Sequence, residues 1–194
     1  MRAELGILRR WACLRVRARM TDLGESISLD EADLIDKIVG RRRGGFCYEL
    51  NGAFACLLER LGARVRRVSA RVYGDGGGLG PPFDHLALVV RLPDGSGPWL
   101  ADVGFGSHST YLLLADAWAE QADPGGQFLL VGAPDGDIDV VKDGQPQYRL
   151  ELRERALDDF VPTCWWQQPC SPRTGIISES TSTACPSPQP AMTL

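Results

Sequence analysis

The sequence predicts an α+β fold with the helices first and an antiparallel sheet after them. Up to Gly62 the apolar residues recur at helical spacing, and from Arg64 onward they recur at a period of two. Short Gly- and Asp-containing turns separate the later runs. Connections that brief can join only antiparallel neighbours.

The first twenty residues, MRAELGILRRWACLRVRARM, carry six arginines against one glutamate and read as a basic, solvated helix. A second helix is expected from Ser28, which with Glu31 forms a capping box. Leu34, Ile35, Ile38 and Val39 supply its apolar stripe and Gly40 its stop. The next helix begins at Cys47, with Leu50, Phe54, Leu57, Leu58 and Leu61 on one face and Gly62 at the end. Cys56 falls inside that helix and reads as a small core residue.

RVRRVSARVY (64 to 73) then alternates like a half-exposed strand, and HLALVVRL (85 to 92) is the continuous apolar run of a central one. WLADVGFG (99 to 106) reads as its hairpin partner across the turn PDGSG. QFLLVG, DIDVV and QYRLELRE follow, separated by APDG and KDGQ. The glycine-rich loop at 75 to 82 has no lysine and opens no helix, so it reads as a loop and not a phosphate cradle. The stretch from Ser171 is rich in Ser, Thr and Pro and, taken alone, reads as disordered.

With 194 residues, 44% hydrophobic and 24% charged, the chain is an ordinary globular one. A net charge of -4 gives no basis for a nucleic-acid surface. No apolar run nears the ~18 residues of a membrane span, and no signal peptide is evident, so a cytoplasmic, non-membrane protein is expected. Six scattered cysteines read as reduced thiols. With no CxxC pair and two histidines, His85 and His108, no metal site is expected. His108 reads as a surface residue.

Three residues stand out. His85 lies eight residues before Pro93 and Asp102 seven after Gly95, so on the predicted hairpin both fall at the same end. An aspartate there can accept the Nδ1 proton of the histidine and leave Nε2 for a nucleophile. Cys47 is the candidate. A cysteine in that place is either core packing or a nucleophile at the positive end of a helix, where the thiolate is favoured. The free N–H groups of the first helical turn could also hold an oxyanion. Together Cys47, His85 and Asp102 make a papain-like order, with the nucleophile on a helix and its base and orienter on a sheet.

RGGFCYELNGAF around Cys47, SARVY at 69 to 73, FDHLALVV around His85 and WLADVGFG around Asp102 resemble, in order, the signature blocks of the arylamine N-acetyltransferases. FVPTCWWQQ resembles the start of that family's C-terminal region. The resemblance runs from about Ser26 to Ser171. It implies acetyl transfer from acetyl-CoA to an aromatic amine, hydrazine or N-hydroxyarylamine, with Cys47, His85 and Asp102 as catalytic triad. By the same resemblance Phe105 and Val72 would face the aryl pocket, and Gly104 and Gly106 would lie beside the cofactor. The expected organisation is a helical segment over 1 to 62, an antiparallel β domain over 63 to 157, and over 158 to 194 a remnant of a third domain that is otherwise missing. A related macrolactam amide synthase, a catalytically weak remnant, and a papain- or transglutaminase-like cysteine hydrolase are the alternatives.

Overall fold

The computed structural model describes residues 27 to 106 and 109 to 164. The basic N-terminal stretch, His108, the residues after Cys164, and Cys13, Cys170 and Cys185 lie outside them. The architecture is the expected α+β one. Helix α1 spans Glu31–Ile35, a π-helical turn follows over Asp36–Gly40, and α2 spans Cys47–Arg60. Among the described residues eight strands follow: β1 Arg64–Val72, β2 His85–Arg91, β3 Trp99–Ala101, β4 Leu113–Leu114, β5 Gln121–Asp123, β6 Gly126–Gly132, β7 Ile138–Lys142 and β8 Gln145–Glu154.

The start of α1 differs from the sequence expectation. Asp30, not Ser28, is the N-cap, and its carboxylate accepts the N–H groups of Ala32 and Asp33. The Ser28 hydroxyl donates instead to Asp33. The wide turn after Ile35 also rotates the predicted stripe. Leu34 is buried, but Val39 is 53% exposed and Lys37 takes the inward place.

All strands form one antiparallel sheet in the order β4-β3-β2-β1-β8-β7-β6-β5. Two four-strand meanders therefore meet through the β1–β8 pair. Asp143 and Gly144, both at positive φ, make the tight turn between β7 and β8. Two strands that the sequence did not announce, β4 and β5, are the sheet edges, and one side chain joins them. The Gln121 carboxamide accepts the Leu114 N–H at 2.7 Å and donates to the Leu114 carbonyl at 3.0 Å. Asp123 adds to the seam by accepting the N–H groups of Thr110 and Tyr111. The sheet is thus nearly closed into a barrel.

Inside it lie Val68, Ala87, Val89, Leu100, Phe128, Leu130, Val140, Tyr148 and Leu150. Both faces of β2 are buried, as its unbroken apolar run requires. Its even-numbered residues Leu88 and Val90 pack outward against Phe54, Ala55 and Leu58 of α2. A third cluster of Tyr48, Leu86, Phe160 and Cys164 closes the N-terminal end of α2 on the sheet. At Gly52 there is no room for a side chain, because a Cβ would sit 2.9 Å from Leu34 of α1. Among the described residues no helix is long and apolar enough to cross a membrane.

Candidate active site

Cys47 is the first residue of α2, and the N-cap residue Phe46 has no side-chain acceptor to offer the first-turn N–H groups. His85 opens β2 on the barrel-interior side shared by Ala87 and Val89, and it is buried. Asp102 follows the last residue of β3. The strand is shorter than the sequence suggested, since it pairs only through Ala101 and the chain then turns away through 102 to 106. Extending the Leu88↔Ala101 register sets Asp102 opposite Ala87, one diagonal step from His85.

The two side chains meet, with His85 Nε2 2.7 Å from Asp102 Oδ2. This reverses the expected use of the ring nitrogens. The carboxylate from β3 takes Nε2, and Cys47 is a further hydrogen-bond partner of the imidazole. Burial works against charging the ring, but the Asp102 carboxylate, Cys47 and the hydrogen bonds to both outweigh it and raise His85 to about 10.

Among the described residues four donors converge on Asp102. Oδ2 accepts from the Tyr148 hydroxyl at 3.0 Å as well as facing His85, and Oδ1 accepts from Asn51 Nδ2 and the Gly104 N–H, each at 2.9 Å. Burial and the charge of Asp102 raise Tyr148, so it stays a hydroxyl donor. Asn51 uses the rest of its carboxamide to tie α2 to the sheet, donating to the Leu86 carbonyl at 2.6 Å and accepting the Val103 N–H at 3.0 Å. Sequence reading missed Asn51 and Tyr148. Asn51 had a signal, a short polar residue one turn after Cys47 at the start of a run that stays apolar to Leu58. Tyr148 had none, since it reaches the site only because β8 pairs with β1.

Phe105 stacks edge-on against both His85, with ring centres 5.1 Å apart, and Tyr148 at 4.7 Å. Val72 pairs with Tyr148 across the β1–β8 ladder, packs on the same interior cluster and lines an open cleft with Tyr73, Leu79 and Gly80. Gly104 abuts Cys47, where a Cβ would lie 2.7 Å from the cysteine's Cα. Gly106 sits at φ 71°, and among the described residues nothing lies within 4 Å of where its Cβ would be. Cys56 and Cys164 are buried, and burial pushes both thiols up, that of Cys164 to about 12.

A helix-borne cysteine set against a histidine and an aspartate carried by an antiparallel sheet is a papain-like arrangement within an α+β fold. A family model described as N-acetyltransferase matches residues 20–189. The chain belongs to the arylamine N-acetyltransferase family. It is 34% identical over 152 residues to the arylamine N-acetyltransferase of Escherichia coli, covering 74% of this chain and 52% of that one. With the Salmonella typhimurium arylamine N-acetyltransferase / N-hydroxyarylamine O-acetyltransferase the identity is 39% over 150 residues, with the same two coverages. Among solved structures, that of Mycobacterium marinum arylamine N-acetyltransferase in complex with CoA superimposes with a TM-score of 0.71 at 28% identity, over 84% of this chain and 64% of that one. The chain spans about half the length of the curated relatives it matches.

Proposed function

We propose that this chain transfers the acetyl group of acetyl-CoA to an aromatic amine, hydrazine or N-hydroxyarylamine by way of an acetyl-cysteine at Cys47. The observation that carries the reading is the 2.7 Å contact of His85 Nε2 with Asp102, beside the first residue of the cysteine-bearing helix. In the first half-reaction the Cys47 thiolate attacks the thioester carbonyl, with the first-turn N–H groups as oxyanion donors. The tetrahedral intermediate expels the CoA sulfur, which takes a proton from the His85 imidazolium. Acetylation removes the cysteine's negative charge and with it part of what holds His85 protonated, so the ring is ready to act as a base. An arylamine, neutral at pH 7, then attacks the acetyl carbonyl and gives its proton to His85, and the tetrahedral intermediate expels the Cys47 thiolate, which releases the acetylated amine and restores the starting cysteine. Two half-reactions through one cysteine give ping-pong kinetics.

Phe105 and Val72 supply an apolar wall for the aromatic acceptor, and Gly106, with nothing among the described residues within 4 Å of where its Cβ would be, leaves room for the acyl donor. Gly104 keeps the same side clear for that donor next to Cys47, where a Cβ would lie 2.7 Å from the cysteine's Cα.

The test is acetyl-CoA with and without an aniline or aromatic hydrazine. The transferase reading expects a burst of CoA that stalls without amine, a mass gain confined to Cys47, and sustained turnover once amine is added. Steady CoA release without amine would assign the chain to the hydrolases. Iodoacetamide at neutral pH should label Cys47 ahead of Cys56 and Cys164, because only Cys47 of the three is partly exposed.

A further inference from the structure

A buried ion pair lies one turn from the nucleophile. Lys37 Nζ is 2.7 Å from Glu49 Oε1, with the two side chains 6% and 0% exposed. The second oxygen of Glu49 accepts the Phe46 N–H at 3.0 Å, on the residue immediately before Cys47. Gly45 leaves room for that carboxylate, since a Cβ there would lie 2.8 Å from Glu49 Oε2. The Lys37 carbonyl in turn accepts the Arg43 N–H at 3.0 Å, which brings the arginine-rich approach back over the pair.

A charge pair this dry is a poor source of stability, because desolvating both ions offsets most of their attraction and an apolar pair of like volume serves as well. What an apolar pair cannot do is hold the Phe46 N–H. We infer that Lys37 and Glu49 are positioning residues. Lys37 anchors the Glu49 carboxylate, the carboxylate fixes the backbone entering α2, and that backbone sets where the Cys47 sulfur and the first-turn N–H groups stand relative to an acyl carbonyl. The inference rests on the acetyl-transfer reading for its kinetic consequence, although the placement of Cys47 stands apart from it.

Removing one partner alone strands a buried charge, so the pair is replaced together. Lys37→Met/Glu49→Leu lacks both charges and the acceptor, while Lys37→Met/Glu49→Gln lacks the charges and keeps the acceptor. Both should melt within about 5 °C of the parent. The Leu variant should lose about tenfold or more in the rate of Cys47 acetylation by acetyl-CoA, with KM little changed, and about threefold or more in iodoacetamide alkylation of Cys47. The Gln variant should stay within about threefold of the parent in both, which is the rescue a merely structural pair would not give. Gly45→Ala, which pushes on the same carboxylate, should reproduce the Leu variant and serves if that variant fails to fold.

Parental acetylation and alkylation rates in folded Leu and Gly45→Ala variants would overturn the inference. So would equal losses in the Leu and Gln variants. If the parent itself forms no acetyl-Cys47, the acetyl-transfer reading fails, and the alkylation comparison still decides whether the pair places the nucleophile.

Discussion

Asp102 is the residue on which the most contacts converge, and its substitution separates chemistry from folding. In Asp102→Asn the new NH2 group must face two of the four donors that now point at the carboxylate. We expect a stability loss of roughly 1–3 kcal/mol, read by denaturant unfolding. Turnover should fall on the order of 10³-fold or more, because an amide neither stabilises the imidazolium nor fixes the tautomer. His85 makes a separate, pH-dependent contribution. Unfolded, it titrates near its ordinary 6.5, and folded it keeps its proton up to about 10. Below pH 6.5 both states are protonated and the stabilisation is fully present. Between 6.5 and 10 only the folded state holds the proton, so the stabilisation declines as pH rises and is gone above that window. The melting temperature should therefore fall across pH 6.5 to 10 more steeply in the parent than in His85→Gln, and parallel slopes would remove His85 from the linkage. At this scale the sequence located Cys47, His85 and Asp102 by spacing and resemblance. It assigned the ring nitrogens the wrong way round, because spacing sets the two residues level and does not say which nitrogen Asp102 meets.

Among the elements, the seam between β4 and β5 is the least expected. Neither strand was legible in the sequence, because each is only two or three residues long and has no alternation to detect. Their pairing runs through the Gln121 side chain in place of a backbone ladder. Gln121→Ala should cost about 1–2 kcal/mol for two lost hydrogen bonds at a partly buried site. Amide hydrogen exchange at Leu114 should rise selectively, while Leu88 in the doubly covered β2 keeps its protection. Equal change at both positions would show that the seam is not a local closure. The long strands and α2 were readable for the opposite reason, since each carries a full burial period between clear turn or stop residues. The helix before Cys47 was only half readable. Its wide π turn put Lys37, not Val39, on the buried side, and residue spacing alone does not announce such a turn.

For the molecule as a whole, the sheet and the helix pair share one demanding boundary at residues 51 and 52. Asn51 is required there because its carboxamide joins Asp102, Leu86 and Val103, and Gly52 because Leu34 of α1 leaves no space for a Cβ. Each need is local and neither concerns the other, yet side by side they create an Asn-Gly sequence in the middle of α2. In an open chain, glycine's unhindered nitrogen readily attacks the preceding asparagine side chain and expels ammonia. The helical backbone and the three hydrogen bonds of Asn51 prevent that attack while the fold is intact. Each unfolding excursion removes the protection, and a deamidated chain that refolds carries a second carboxylate beside Asp102. The protein should thus have a chemical clock set by how often it opens. Samples aged near the melting temperature should lose activity in step with deamidation at residue 51 by peptide mapping, and samples aged well below it should lose neither.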